Sequence, residues 1–199
     1  MMLIEKTTVP LSALPVAQLK DHMRLGSGFA DDSLQDPVLH SYLRAAMAAI
    51  EARTGKILIA REFEWTLTKW RDNRRQPLPV APVSAIIGVT LLDRDGGETL
   101  VDPAGWVLDP DNQRPGLATT GACLPAVPLH GAVQIGLLAG YGPEWDDLPA
   151  DLAQAVMLLA AHFYEYRHDV SQGAPAMPFG VAALIDRHRT VRLFMGGQR

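Results

Sequence analysis

Cysteine is almost missing from this chain: its 199 residues hold one, Cys123. A single thiol excludes an intrachain disulfide framework and a Cys-rich zinc site. No window reaches the roughly 18 consecutive apolar residues of a membrane span. The opening MMLIEKTTVP lacks the apolar core of a secretion signal. The expectation is a protein made in the cytoplasm and soluble there, with no membrane partner. Positive charge is not in surplus either. Lys and Arg number 18 against 22 Asp and Glu, a formal net charge of −4, whereas a protein that coats nucleic acid needs cations facing phosphates. No long internal repeat recurs, which removes solenoids and propellers. G-x-S-x-G, the P-loop and G-x-G-x-x-G are absent.

What is present is an ordinary globular composition, 48% hydrophobic and 20% charged, too apolar for a disordered chain. An extended start closed by Pro10 and Pro15 precedes a short helix around 16–25, broken by Gly26 and Gly28. Asp36-Pro37 opens a long helix, because Asp favours the cap and Pro the first helical position. Leu39, Leu43, Ala46 and Ile50 share one face, and Gly55 supplies the stop. Ala45, Ala48 and Ala49 keep this helix thin, so that a neighbour can approach closely.

The period then falls from 3.6 to 2. Phe63, Trp65 and Leu67 alternate with polar residues in a half-buried strand, and Val83, Ala85, Ile87, Val89 and Leu91 do so again. The stretch DRDGGE (93–98) is a hairpin turn. Short strands are expected at 99–101 and 106–108, and another through Val133, Ile135 and Leu137. The Gly- and Pro-rich stretch 109–131 reads as a long mobile loop. Helices return at about 148–168, with Asp147 or a neighbour as cap, and at about 181–192. The predicted fold is mainly α with a small antiparallel β insertion. It is a single domain with helices over about 16–54, the insertion over about 57–139, helices over about 148–192 and a tail over 190–199.

The helix near 148–168 carries His162, Glu165 and His168, which invites a metal-dependent hydrolase. The spacing argues against it. Two helical ligands of one metal stand at i and i+4, whereas six residues separate the two histidines by about 9 Å along the axis. Glu165-x-x-His168 is half of a di-iron signature whose second half is missing. The cysteine sits in a Pro/Gly loop with only His130 near it. A DNA-binding reading would rest on Arg71, Arg74 and Arg75, a cluster better explained by a solvated surface. No catalytic residue, metal or cofactor is expected. More unusual is that Met157, Leu158 and Ala161 lie off the apolar seam through Leu152, Val156, Leu159 and Phe163. A helix that is apolar on several sides must be covered on several sides, by its own core or by another subunit.

Six stretches in order carry a resemblance. They are LKDHMRL, DDSLQDPVLHSYLRAAMAAIEARTGKILI, EFEWTLTKW, PLPVAPVSAIIGVTLLDRDGGETLV, LLAGYG followed by LPADLAQAVMLLAAHFYEYR, and PFGVAALIDRHRTVRL. Together they resemble the head–tail connector, or adaptor, proteins of tailed bacteriophages and phage-like gene transfer agents. The chain departs from relatives at Cys123-Leu124-Pro125, where Trp-Pro is frequent. The resemblance implies a helical-bundle connector subunit in a ring of twelve, set in the neck of a virion or particle and assembled in the bacterial cytoplasm. That ring would join the portal to a stopper or tail protein and pass DNA without binding it specifically. A stopper or tail-completion role in the same neck is the neighbouring reading. By the resemblance, Arg187, Arg189, Arg192, Leu193 and Phe194 are candidates for docking on the portal, and arginine forks with an aromatic anchor suit an interface. Met157, Leu158, Ala161, Ala45, Ala48 and Ala49 are candidates for the contact between subunits.

Overall fold

A computed structural model describes residues 2–25, 33–167 and 177–189. Its strands, in chain order, are β1 (Met2–Glu5), β2 (Arg61–Leu67), β3 (Arg75–Pro77), β4 (Val83–Leu92), β5 (Glu98–Leu100), β6 (Trp106–Asp109), β7 (Gly116–Thr119) and β8 (Ala132–Ala139). Its α-helices are α1 (Val16–His22), α2 (Asp36–Thr54), α3 (Ala150–Glu165) and α4 (Phe179–Ile185).

Alternation in the sequence becomes the core of a two-sheet layer. The five-stranded sheet runs β1-β2-β8-β4-β5 and the three-stranded one β3-β7-β6, with every ladder antiparallel. Phe63 sits opposite Leu137, Trp65 opposite Ile135 and Leu67 opposite Val133. These side chains share one cluster with Val89, Leu78, Leu117 and Leu124.

The second core is helical. Leu39, Leu43, Ala46 and Ile50 of α2 are fully buried and pack with Leu152, Val156 and Leu159 of α3, Leu19 of α1, and Val181 and Ile185 of α4. Each buried Leu or Ile contributes roughly 1.5–3 kcal/mol, which is why the face at spacings of three and four decides where α2 lies. Gly55 ends α2 in the left-handed region at φ 70, its N–H donating to Glu51 O at 2.8 Å.

The link from 55 to 60 joins the two cores, with Ile57 in the sheet cluster and Leu58 and Ile59 in the helical one. Gly140, at φ 137, passes so close to Ala60 that any Cβ would collide with its backbone. The G-Y-G after β8 is therefore a packing requirement.

Two expectations are corrected. The fold is α+β: eight strands stand beside four α-helices among the described residues, so it is not mainly α. Nor is the β part an insertion between helices. β1 precedes the first helix and pairs with β2, Leu3 facing Trp65, so the chain's start is sewn into the sheet. β1 and β3 are too short to show a period of two, and all four β1 residues are exposed. The 109–131 stretch contains β7, paired on both sides. Its beginning is pinned by the fully buried Lys56, whose Nζ donates to Asn112 O at 2.5 Å and Gln113 Oε1 at 2.8 Å. Burial pushes the Lys56 amine below the usual lysine range, and Asp111 partly opposes this.

Candidate assembly surfaces

The junction between the two cores is built on one arginine. Arg61 Nη2 lies 2.6 Å from Glu51 Oε2 and its Nη1 donates to Oε1 at 3.0 Å, while its Nε stands 3.1 Å from Glu5. Glu51 Oε1 also accepts the Leu58 N–H at 2.9 Å. Burial works against the Arg61 charge, but Glu51 and Glu5 outweigh it and hold the guanidinium's pKa above its ordinary value. This fork ties β1, α2 and β2 into one body.

On that body α3 is covered from several directions by its own chain, with α2, α4 and α1 all packed against it. The residues expected to meet another subunit divide accordingly. Met157 and Ala161 are buried in the helical core, 7% and 8% exposed, and Leu158 is half-buried. Ala45 and Ala48 are exposed on α2 and Ala49 is half-buried. The thin side of α2 is therefore the accessible part of this set.

Beside it lies an open groove of about 590 Å3. Ala49 and Ala52 of α2 form one wall, and Leu159 and Phe163 of α3 form the floor. Met177 and Pro178, just ahead of α4, make the other wall. Arg53, Arg189 and His162 add basic groups, and no carboxylate stands among the described lining residues. His162 packs against Tyr166 with ring centroids 4.6 Å apart and the rings tilted by 42°, and Phe179 beside Pro178 is 89% exposed.

The segment after α4 is held by one carboxylate. Asp151, in the first turn of α3, has its Oδ2 2.6 Å from Arg187 Nε and 2.7 Å from His188 Nε2. Burial pushes the Asp151 carboxyl up, but hydrogen bonding to His188, the nearby charges and the Leu152 N–H prevail, so its pKa lies below the usual Asp value. Arg187 is thus already engaged within the chain. Arg189 pairs with Asp186 at 3.3 Å and reaches the groove. The other docking candidates, Arg192, Leu193 and Phe194, lie outside the described residues.

The enzymatic and DNA-binding constellations are placed as follows. His162 is half-buried in the groove, Glu165 is exposed, and His168 lies outside the described residues. Among the described residues no three His, Cys, Asp or Glu side chains converge to hold a metal. Arg75 is engaged with Asp109 at 2.6 Å and the Arg114 carbonyl at 2.8 Å, so it fastens β3 to the 109–114 segment. Arg71 and Arg74 are exposed.

No family model matches the chain, and neither does any curated protein. Solved structures do. A chain from the neck of an empty GTA particle, computed with C6 symmetry, is 56% identical with a TM-score of 0.89, covering 98% of this chain and 99% of that one. A chain from the virion of a native gene transfer agent particle is also 56% identical, at TM-score 0.87 with the same coverage. The chain belongs to the head–tail connector family of gene transfer agent necks. A third chain, from the neck of a native GTA particle computed with C12 symmetry, is 52% identical over the same coverage, at TM-score 0.82.

Two parts of this connector's surface escaped the sequence reading. Nothing local in the sequence marks Asp151, because its partner His188 stands 37 residues later. The groove needs α2, α3 and the segment before α4 brought together, and no local pattern announces that. Its one sequence signal is the run of small residues at Ala45, Ala48, Ala49 and Ala52.

Proposed function

We propose that the chain is the adaptor subunit of the neck. A ring of twelve copies joins the portal to the stopper or tail protein and forms part of the DNA exit channel. The observation that carries this reading is the near-complete match to neck chains at 52–56% identity, in particles computed with C6 and C12 symmetry. Its supports in the molecule are mechanical. A body tied together by Glu51–Arg61 can bear load, the small residues of α2 admit a neighbouring copy, and a net charge of −4 suits a lumen that lets DNA slide.

In this reading the portal contact belongs to the segment from Arg189 onward, including Arg192, Leu193 and Phe194. Arg187 and His188, clamped by Asp151, set where that segment leaves the body. Affinity capture of the portal protein from the same gene cluster tests this. Full-length chain is expected to retain the portal, and a chain ending at Arg189 is expected to fold and lose it. Equal capture by both forms removes the docking assignment. Capture of a tail protein and not the portal by full-length chain moves the protein one ring down, to the stopper.

A further inference from the structure

The five-stranded sheet buries one of its faces. Phe63, Trp65 and Leu67 point inward, where Leu117 of β7 and Leu124 share their cluster, so Glu62, Glu64 and Thr66 point outward. On that outer face Glu64 stands opposite Ile4 of β1 and Gly136 of β8, and Gly136 in turn stands opposite Gly88 of β4. The paired glycines leave a hollow of about 250 Å3. Ile87 and Leu100 lean over it, since a Cβ on Gly136 would stand 3.2 Å from Ile87 Cβ and one on Gly88 3.8 Å from Leu100 Cδ1. These two side chains are 57% and 68% exposed, and Met2 and Ile4 are exposed on the same face. Single exposed apolar residues are ordinary, but four on one sheet face beside a hollow form a patch. Its rim is acidic: Glu62 and Glu64 border the hollow, and among the described residues around it Lys6, paired with Glu64 at 3.2 Å, is the one cation.

The opposite chemistry lies on the other side of that sheet, in the turn KWRDNR (69–74) that leads from β2 to β3. Its backbone is fastened to the small-sheet side. Trp70 Nε1 donates to Pro125 O at 2.7 Å, Arg71 N to Gln76 Oε1 at 2.7 Å, and Asn73 O accepts the Leu124 N–H at 2.7 Å. The turn's own carboxylate, Asp72, caps the Arg74 and Arg75 N–H groups at 2.7 and 3.1 Å. Lys69, Arg71 and Arg74 are exposed around the half-buried Trp70. A fixed turn that offers a tryptophan among cations has the composition of an interface centre and loses little freedom on docking. A cyclic ring needs two unlike surfaces on every copy, each fitting the other. We propose that the 69–74 turn of one copy seats on the outer sheet face of the next. Trp70 then meets Ile87 and Leu100, and Arg71 and Arg74 face Glu62 and Glu64. Charge selects this pairing, because two outer faces or two such turns repel each other.

Full-length chains are incubated with purified portal rings, and closed second rings are counted by electron microscopy. The chains are wild type, Glu62→Lys with Glu64→Lys, Arg71→Glu with Arg74→Glu, and an equimolar mixture of the two variants. Either variant alone sets like charges against each other and should form about ten-fold fewer closed rings, or less. The mixture should restore them, because an even-numbered ring can alternate the two variants so that every turn again faces the opposite charge. Rings that survive either reversal, or a mixture no better than its parts, overturn the proposal. So does loss in the Arg71/Arg74 variant alone together with lost retention on duplex DNA, which would assign the turn to phosphates. The inference rests on the adaptor reading. Bare portals with wild-type chain would remove both, whereas rings indifferent to the reversals would remove this contact alone.

Discussion

Arg61 and Arg187 each meet a carboxylate oxygen at 2.6 Å, yet the two contacts do different work. The Arg61 and Glu51 side chains are 8% and 11% exposed, and two further groups, Glu5 and the Leu58 N–H, complete the site. The Arg187 side chain is 71% exposed over an Asp151 that is 17% exposed. Removing one partner of a buried pair strands a charge and costs about 3–5 kcal/mol, whereas an exposed pair contributes about 0–1 kcal/mol. The same chemistry therefore welds the body in one place and latches its C-terminal segment in the other.

The contrast can be broken at its strong end first. Glu51→Ala should destabilise the fold by about 3–5 kcal/mol in urea unfolding, and a loss below about 1 kcal/mol would mean that the junction is not a weld. Lys56→Ala comes next. It removes the two bonds that pin residues 112 and 113, at a cost of about 2 kcal/mol, and should speed proteolytic cutting in 109–115 ahead of global unfolding. Unchanged cutting would show that β7, not Lys56, fixes this segment.

Asp151→Asn should move global stability less than Glu51→Ala, because the exposed Arg187 half of the clamp contributes only about 0–1 kcal/mol and an amide can still bond to the buried His188 ring, while weakening portal capture. The sign with pH follows from the lowered folded pKa of Asp151. The clamp's contribution is complete above the ordinary Asp value of about 4 and fades as pH falls through the lower folded value. The protection of amides in 177–189, measured against their intrinsic exchange rate at each pH, should therefore fall on acidification in wild type and be low at every pH in Asp151→Asn. A wild-type segment with the same protection at neutral and acid pH would contradict the latch.

Much of this architecture was readable in advance where side chains repeat. The α2 face through Leu39, Leu43, Ala46 and Ile50, the Gly55 stop, and the alternation of Phe63, Trp65 and Leu67 are each set by burial of neighbours three, four or two residues apart. What stayed hidden depends on distant partners. β1 and β3 carry no period because short edge strands need none, so the sheet looked like a minor insertion. β7 was masked by the glycines and prolines around it. Met157 and Ala161 were legible as apolar but not as inward-facing, because only the positions of α2 and α4 decide that. The Asp151 clamp and the groove depend on contacts between segments far apart in sequence.

The central claim is that this chain forms a ring between the portal and the next neck protein. Electron microscopy of purified portal rings incubated with the full-length chain tests it most directly. The account predicts a second ring of twelve subunits stacked on each portal, absent when the chain ends at Arg189. Bare portals beside the intact, folded full-length chain would contradict it.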